Sequence, residues 1–444
     1  MWERRRRTEG KIPSTSMKAA SAVLTSALWT PPRAAYIHMP FCRRRCFYCD
    51  FPIQVVGSKQ GAADAAAETY CALLRRELDA TPQGEPQESP LESLYFGGGT
   101  PSLTPPALLA DVIEAVRRRH GLAEGCEVTL EMDPGTFDAP RLAAFLDAGV
   151  TRVSLGVQSF DAQLLEKAGR AHDMAAAEQA LTLLRDAHAA DGSPLRSFSI
   201  DLIGGLPFQT RETWQASLQT AASCGAHHVS VYDLQVEQRT AFGRWYEPGA
   251  HPLPTEEDAA NMYRDASAAL RDAGFDHYEV SNFARPGHRS RHNQAYWRND
   301  AFLGLGLGAT SHLAGVRLAR PRTMSTYSSF VDELEATGFD AMQERDGVRE
   351  EGTEALTTRL MLALRTRDGA SEGELAERFG PRLAAATAAA CRDAADELPD
   401  EWIADASDGR FALTDPDGFL FSNEAISTVF ARLDERLDNE EEME

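Results

Sequence analysis

The chain alternates short apolar runs with longer segments in which apolar residues recur at helical spacing. The apolar runs between residues 34 and 236 are AAYIHM, SLYFGG, EVTLEMDP, RVSLGVQSF, SFSIDLIGGL and HVSVYDLQV. Helical patterns lie between them, as from Ala62 to Leu78 and in PPALLADVIEAVRRRH, which prolines open. A strand followed by a helix, repeated along the chain, predicts an α/β fold with a parallel sheet.

Several of these predicted strands end in glycine-rich or polar sequences, namely FGGGT, EMDPG, GVQSF and DLIGGLP. In parallel α/β barrels the functional residues lie at the carboxyl ends of the strands. The repetition of such ends along the chain therefore predicts one barrel-like site at that edge of the sheet.

The pattern changes after about residue 330. TEALTTRLMLALRTRDGASEGELAERFG predicts two short helices around a turn, and FALTDPDGFLFS predicts a β-hairpin, an order that resembles a winged-helix module. Residues 331–444 carry 30 acidic and 11 basic side chains, within a chain of net charge −22. We therefore expect a separate, mainly helical module here. The acidic balance argues against nucleic-acid binding, which relies on clustered Lys and Arg.

The first 33 residues carry seven basic and two acidic side chains, with frequent Ser, Thr and Ala. This composition is typical of a transit peptide and favours the mitochondrion, with the plastid as an alternative. A disordered tail, or a start at Met17, would instead leave the protein in the cytoplasm. The apolar runs are shorter than the roughly 18 residues of a transmembrane helix, so we expect no integral membrane segment.

Three of the seven cysteines are clustered as Cys42-x3-Cys46-x2-Cys49. The other four are isolated and the total is odd, which argues against a disulfide framework. Thiolates suit zinc or iron–sulfur clusters. A structural zinc site needs four ligands, and the candidate for the fourth, His38, lies on the predicted strand and not in the loop. A cubane held by three thiolates leaves one iron open for a cofactor, so the spacing favours iron–sulfur, with zinc as the alternative.

The loop CRRRCFYCDF resembles the CxxxCxxC loop of radical S-adenosylmethionine (SAM) enzymes. Together with the other motifs it resembles the HemW family, which is related to the HemN coproporphyrinogen III dehydrogenases. These other motifs are YIHMPFC, YFGGGTPSL, VSLGVQSFD, AGRAHD, DLIGGLPFQT and HYEVSNFARPGHRSRHNQAYWRNDAFLGLGLGATS. The dehydrogenases carry a further cysteine where this chain has Phe51, and they lack its HNxxYW block.

The resemblance implies a partial (β/α)6 radical SAM barrel over residues 34–330, which includes the HNxxYW block, and a HemN-type module over 331–444. It implies a 4Fe–4S cluster on Cys42, Cys46 and Cys49, and one-electron cleavage of SAM. The residues that it assigns to the SAM pocket are Tyr36, Tyr48, Gly98, Gly99, Thr100, Glu131, Gln158, Arg170 and Asp201. The chain departs from the family pattern at Asp133, where Asn is common, and at Phe208, where Gly is common.

A haem site is indicated by the HNxxYW block and its surroundings. Residues 285–322 contain seven arginines and a single acidic residue. Four histidines fall within an overlapping 36-residue span, namely His277, His288, His292 and His312. Imidazole binds haem iron and arginine pairs with carboxylates such as propionates. The haem candidates are His292, Tyr296 and Trp297. The alternative is that His292 and Asn293 form a buried polar network that ties the last strand to the barrel.

Three functions remain open from the sequence. The first is a haem chaperone that binds haem, a 4Fe–4S cluster and SAM, with haem-accepting apoproteins and an electron donor as partners. The second is an oxygen-independent coproporphyrinogen III dehydrogenase that decarboxylates propionates oxidatively. The third is a zinc-binding interaction protein without catalysis. The resemblance assigns no catalytic residue and favours a protein that lacks dehydrogenase activity.

Overall fold

The computed structural model describes residues 31–58, 61–84, 87–399, 401–406 and 408–441. Its first fourteen strands are β1 (Ala34–Met39), β2 (Phe41–Cys42), β3 (Gln54–Val55), β4 (Leu91–Gly98), β5 (Leu122–Met132), β6 (Arg152–Gln158), β7 (Ser197–Gly204), β8 (His228–Asp233), β9 (Asp276–Glu279), β10 (Asn282–Ala284), β11 (Phe302–Leu305), β12 (Thr310–Leu313), β13 (Val316–Ala319) and β14 (Val348–Arg349). The helices over the same part of the chain are α1 (Ala62–Ala80), α2 (Pro106–His120), α3 (Ala139–Asp147), α4 (Ala162–Lys167), α5 (Met174–Ala189), α6 (Arg211–Ser223), α7 (Ala241–Trp245), α8 (Glu256–Asp272), α9 (Arg291–Trp297), α10 (Met324–Thr337) and α11 (Phe339–Asp346). A short 3-10 helix covers Pro101–Leu103.

Twelve of these strands form one sheet in the order β14-β13-β12-β11-β1-β4-β5-β6-β7-β8-β10-β9. The strands from β11 to β8 in this order all run parallel. The six strands β1, β4, β5, β6, β7 and β8 are each followed by at least one helix, which gives six strand–helix units. The predicted parallel α/β architecture is therefore confirmed, and the carboxyl ends of these strands meet at one edge.

Side chains along the parallel strands alternate between two faces of the sheet. Ile37, Leu130 and Ile200 are fully buried in the apolar core that the sheet forms with the helices. Their neighbours Glu131 and Asp201 are half-buried on the opposite face. The inner face of the barrel is therefore polar, which suits a site for a charged ligand rather than a second apolar core.

A buried ion pair joins the first helix to the end of the barrel. Arg320 Nε lies 2.7 Å from Glu77 Oε1, and both side chains are fully buried. Tyr327 donates its hydroxyl to the other carboxylate oxygen at 2.6 Å, and the Gly306 amide donates to that oxygen at 2.8 Å. Glu77 thus connects α1, α10 and the loop after β11 through charged hydrogen bonds that stand in for water.

The remaining elements build a smaller module. They are α12 (Gly352–Leu364), β15 (Ala370–Ser371), α13 (Glu372–Phe379), α14 (Pro381–Glu397), β16 (Ile403–Ala406), β17 (Arg410–Leu413), α15 (Asp417–Leu420) and α16 (Ser422–Glu441). The three strands form a sheet in the order β15-β17-β16. Residues from Leu356 to Leu433 supply a separate apolar cluster. A helix, a strand, two helices and a hairpin follow one another, so the predicted winged-helix-like module is confirmed.

The predicted hairpin over FALTDPDGFLFS is wrong. β17 ends at Leu413, and Asp417–Leu420 is a helix. The true hairpin pairs β17 with the preceding strand β16. The turn between them contains Gly409, whose φ of 75° belongs to the left-handed region that glycine favours.

The predicted boundary at residue 331 stays a prediction. The apolar core of the barrel includes side chains up to Met342, and the second cluster begins at Leu356. The predicted targeting segment lies almost entirely outside the described residues. Within the residues that the structure describes, no helix combines the length and the apolar character needed to cross a membrane.

Candidate cofactor site

The cysteine loop lies beyond the carboxyl end of β1. Cys42 belongs to β2, which pairs with β3 on the far side of the loop. The guanidinium of Arg45 donates to the carbonyls of Cys49, Phe51 and Ile53 at 3.0–3.3 Å. The arginine therefore closes the loop on itself and fixes the direction of the third cysteine.

Each of the first two thiols has a neighbouring hydrogen-bond donor. Thr100 donates its hydroxyl to Cys42 Sγ at 3.6 Å, and Arg170 Nη1 donates to Cys46 Sγ at 3.3 Å. Burial raises the pKa of Cys42 to about 12, and burial also raises the pKa of Cys49. The thiols of Cys42 and Cys49 are therefore protonated at neutral pH without a cofactor, and a metal centre would displace those protons.

Three half-buried thiols on one loop, with donors aimed at them, match the chemistry of an iron–sulfur cluster held by cysteines. In the described part of the chain, no group of three or more His, Cys, Asp or Glu side chains is positioned to hold a single metal ion. The fit to the cluster therefore rests on the donor chemistry of the loop and on its surroundings.

The glycine run at the end of β4 packs against the segment that leads into the cysteine loop. The Gly99 amide donates to the Met39 carbonyl at 2.8 Å, and the Thr100 amide donates to the Phe41 carbonyl at 2.7 Å. A Cβ on Gly99 would lie 2.7 Å from the Phe41 carbonyl oxygen. Gly98 has a φ of 109°, and a Cβ there would collide with the ring of His38. Both glycines are required by this close backbone approach.

Glu131 is held in a fixed orientation inside the barrel. Tyr95 donates its hydroxyl to Oε1 at 2.8 Å, and the Gly98 amide donates to Oε2 at 3.0 Å. The ring of Tyr36 stacks on that of Tyr95 with centroids 6.0 Å apart. Burial raises the pKa of Glu131 to about 7. Glu131, Tyr36 and Gly98 thus form one contiguous surface beside the cysteine loop.

Arg170 is the centre of a second group of contacts. It forms an ion pair with Asp133, donates through Nη2 to the Gly156 carbonyl at 2.8 Å, and donates through Nη1 to the Tyr48 hydroxyl at 3.2 Å. The same Nη1 contacts the thiol of Cys46. This arginine therefore ties the cysteine loop to the ends of β5 and β6.

The partner of Arg170 is a residue to which the sequence assigned no role. Asp133 stood out only because Asn is common at that position, yet it carries the countercharge of Arg170 and also lies 3.2 Å from His172 Nδ1. Its place in EMDPG, at the carboxyl end of a predicted strand, was the available signal. The proximity of Arg170 to a carboxylate is visible only in the structure.

Asp201 and Gln158 occupy the neighbouring strands. Ser154 donates to the carboxylate of Asp201 at 3.2 Å, and burial raises the pKa of Asp201. Gln158 ends β6 with a φ of 71°, which is uncommon for a residue other than glycine. Such strain is found most often at ligand sites. Gln158 lies on β6, next to the strand of Glu131, and Asp201 lies on β7, the next strand of the sheet.

His292 lies inside the barrel towards its amino end, beneath the ring of Tyr95. Its Nδ1 is 3.0 Å from Ser93 Oγ and its Nε2 is 2.9 Å from the Tyr296 hydroxyl, while its ring stacks on Tyr95 with centroids 4.9 Å apart. Burial lowers the pKa of His292 to about 3, so the ring is neutral. Ser93 and Gly98 are five residues apart on β4, roughly 16 Å along the strand. Both ring nitrogens are hydrogen-bonded, as the buried-network alternative requires.

The HNxxYW block therefore does not form one surface. His292 and Tyr296 face the floor of the barrel, whereas Trp297, the last residue of α9, lines a cleft on the side of the C-terminal module. The sequence placed these three side chains in one haem site, and the structure separates the first two from the third.

Comparison with known proteins identifies the family. The model of the Radical SAM superfamily matches residues 36–221. The heme chaperone HemW of Synechocystis is 39% identical over 424 residues, which cover 93% of this chain and all of that protein. This chain belongs to the HemW family. The heme chaperone HemW of Bacillus subtilis is 32% identical over 79% of this chain and 88% of its own length.

Two further similarities complete the picture. The mouse protein "Radical S-adenosyl methionine domain-containing protein 1, mitochondrial" is 37% identical over 79% of this chain and 76% of its own length. The solved structure of coproporphyrinogen III oxidase (HemN) from Escherichia coli superposes with a TM-score of 0.73 over 92% of both chains, at 21% identity. That likeness shows the fold. The predicted family and the predicted radical SAM barrel with its C-terminal module are both confirmed.

Proposed function

We propose that this protein is a haem chaperone that binds haem, a 4Fe–4S cluster and SAM. The observation that carries the proposal is the similarity to a heme chaperone along that protein's entire length, which includes both the barrel and the C-terminal module. Phe51, at the position where HemN-type dehydrogenases have a further cysteine, supports the same assignment.

In this proposal Cys42, Cys46 and Cys49 hold the cluster, and Arg170 and Thr100 stabilise the thiolates by donating to them. When bound, the cluster and SAM supply one-electron chemistry. The residues that would bind and orient SAM are Tyr36, Tyr48, Gly98, Gly99, Thr100, Glu131, Gln158, Arg170 and Asp201. Glu131 is pre-oriented by two hydrogen bonds, and Arg170 by the carboxylate of Asp133, so neither has to reorganise on binding.

The haem candidates from the sequence are His292, Tyr296 and Trp297. For His292 to bind iron, one of its ring nitrogens would have to release Ser93 or Tyr296. Trp297 requires no such rearrangement, because its indole already lines an open cleft.

The partners that follow from this function are haem-accepting apoproteins and an electron donor. The mitochondrial location of vertebrate relatives supports a mitochondrial location here, together with the basic composition of residues 1–33. A fusion of residues 1–33 to a fluorescent protein tests the location. Import into mitochondria is expected, and cytoplasmic or plastid fluorescence would contradict it.

Anaerobic purification and reconstitution test the function. We expect four iron and four sulfide per chain from the 4Fe–4S cluster, saturable haem binding in the Soret region, and no decarboxylation of coproporphyrinogen III in the presence of SAM and a reductant. Stoichiometric zinc with no sulfide would support the interaction-protein alternative. Formation of protoporphyrinogen would support the dehydrogenase alternative. Absence of haem binding by a cluster-loaded protein would overturn the proposal.

A further inference from the structure

Exposed apolar side chains are concentrated at the carboxyl end of the barrel. In the part of the chain that the structure describes, the large apolar side chains that are exposed are Phe51, Val55, Phe208, Tyr232, Trp245 and Val348. All of them except Val348 lie at the end of β8 or in the segments that follow β1, β7 and β8. Apolar surface that collects at one place on a protein marks an interaction site, whereas scattered single residues do not.

Part of this apolar surface is built on the cysteine loop. Phe51 is 57% exposed and Val55 is 51% exposed, and both follow the third cysteine closely. Trp245, which is 53% exposed, packs edge-on against Phe47 of the loop with ring centroids 4.9 Å apart. The Phe242 amide donates to the Phe47 carbonyl at 3.0 Å, so α7 is attached to the loop by its backbone as well. The exposed side chains of the loop and of α7 therefore belong to one surface beside the cysteines.

The cysteine loop also carries positive charge that no carboxylate neutralises. Residues 43–45 are all arginine, and their guanidinium groups donate to backbone carbonyls at 2.9–3.4 Å. None of the three forms an ion pair with a residue that the structure describes. The single acid between residues 40 and 57 is Asp50, which lies 3.9 Å from Arg322. The nearest carboxylate of β5's carboxyl end, Asp133, is already paired with Arg170.

The elements on either side of the loop add exposed charges of both signs. Glu166 and Lys167 lie at the end of α4, while Arg244 lies in α7 and Glu247 follows it. These two pairs cancel, so the net positive charge resides on the loop, in a chain whose net charge is −22. We use the term loop surface for the exposed basic and apolar side chains described above, namely Arg43, Arg44, Arg45, Phe51, Val55 and Trp245.

We propose that an acidic one-electron carrier protein docks on the loop surface. The inference rests on the proposed function, which places a 4Fe–4S cluster on this loop, and it names the surface for the electron donor. The carrier is oxidised by one electron and the cluster is reduced by one, with no bond formed or broken and no proton transferred. Electron-transfer complexes have small interfaces, so a few exposed apolar side chains are sufficient. The unpaired arginines select an acidic partner and guide its approach.

The test is equilibrium binding of the cluster-loaded full chain to an oxidised plant-type 2Fe–2S ferredoxin, which is an acidic one-electron carrier. We expect saturable binding that weakens as salt is added, because salt screens the opposite charges. Arg44→Glu should weaken binding about tenfold at low salt, since attraction becomes repulsion, and the effect should disappear at high salt. Phe51→Ala should weaken binding by about the same factor at every salt concentration, because apolar contacts are not screened.

Each of these two variants has a matched control elsewhere in the protein. Arg118→Glu replaces an arginine that is 69% exposed on α2, and Val348→Ala replaces an apolar side chain that is 53% exposed on β14. Both controls should bind ferredoxin as the wild type does. Dithionite is a small reductant that needs no docking surface, so it should reduce the cluster equally in all five proteins. Equal iron and sulfide content, which we expect because Arg44 and Phe51 are exposed, shows that the loop is intact.

The proposed function and the docking surface fail in different ways. If the wild type takes up no cluster, the proposed function itself fails. If the cluster-loaded wild type does not bind ferredoxin, or if Arg44→Glu and Phe51→Ala both bind it as the wild type does, the docking surface is wrong. Self-association of the wild type that both variants abolish would assign the loop surface to a second copy of the chain and overturn the proposal. A lower haem affinity in both variants, with ferredoxin binding unchanged, would assign it to haem instead.

Discussion

The two ends of the barrel use polar side chains in opposite ways. At the carboxyl end, Arg170, Glu131 and the three cysteines are half-buried, and their carboxylate oxygens and sulfur atoms can accept further bonds from a ligand. At the amino end, His292 is buried and has both ring nitrogens hydrogen-bonded. The difference teaches that polar side chains form a candidate ligand site only where their donor or acceptor atoms can still bind a ligand. Where all these atoms are already hydrogen-bonded within the buried protein, the side chains are structural. The following experiments test this contrast.

The largest effect is expected from the cysteine loop. Cys46→Ala should abolish cluster binding, because three thiolates are the minimum that holds a cubane and Arg170 would then face a methyl group. Iron and sulfide content and the visible absorption spectrum measure this after anaerobic reconstitution. Cys71→Ala is the control, since Cys71 is buried in α1 away from the loop. A full cluster spectrum in Cys46→Ala would show that the ligands have been assigned incorrectly.

Substitutions at two positions of the glycine run should distinguish effects on the cluster from effects on SAM binding. Gly99→Val should lose both the cluster and SAM binding, because its Cβ would collide with the backbone of Pro40 and Phe41, which leads into the cysteine loop. Gly97→Ala should retain the cluster and weaken SAM binding, because its Cβ would lie 2.8–2.9 Å from the side chains of Tyr95, Glu131 and Tyr36. Cluster content and equilibrium SAM binding are measured on both variants. Wild-type SAM affinity in Gly97→Ala would contradict the assignment of this surface.

At the amino end, the expected effect is on stability. His292→Ala leaves Ser93 and Tyr296 without their buried partner, so the free energy of unfolding should fall by roughly 1–3 kcal/mol. Haem affinity per folded molecule should be unchanged if the ring is structural. Denaturant unfolding and a haem titration on the same preparation decide between the roles. Loss of the Soret band at unchanged stability would restore His292 as the haem ligand.

The last experiment concerns the pH dependence of stability that Glu131 causes. Because burial raises its pKa from 4.5 to about 7, the folded state holds the proton more tightly than the unfolded state does. The wild type should therefore lose stability relative to Glu131→Gln as the pH rises from about 4.5 to about 7. Denaturant midpoints across that range measure the difference. Glu124→Gln is the control, because Glu124 is exposed on the same strand, and its midpoints should follow the same pH dependence as those of the wild type. If the midpoints of Glu131→Gln also follow the wild-type pH dependence, the elevated pKa of Glu131 is excluded.

Parts of the fold and of the site were accessible from the sequence because they are encoded locally. AAYIHM is β1 at its predicted bounds, and the glycine run and the cysteine loop meet as their positions after parallel strands predict. The hairpin over residues 411–422 failed for a local reason too, since the turn containing Gly409 precedes β17 and was given no weight. The SAM residues were assigned by resemblance, and their roles remain proposals.

By itself, the sequence determined the strand–helix repeat, the three-cysteine loop and the change of architecture in the last quarter of the chain. Each follows from periodicity or from residues adjacent in the chain. Only the tertiary structure decided the partners of the polar side chains: Ser93 meets His292 across 199 positions, and Asp133 meets Arg170 across 37. It also separated His292 from Trp297, because side chains five residues apart on α9 point to different neighbours. Such pairings depend on packing between distant elements, which periodicity does not encode.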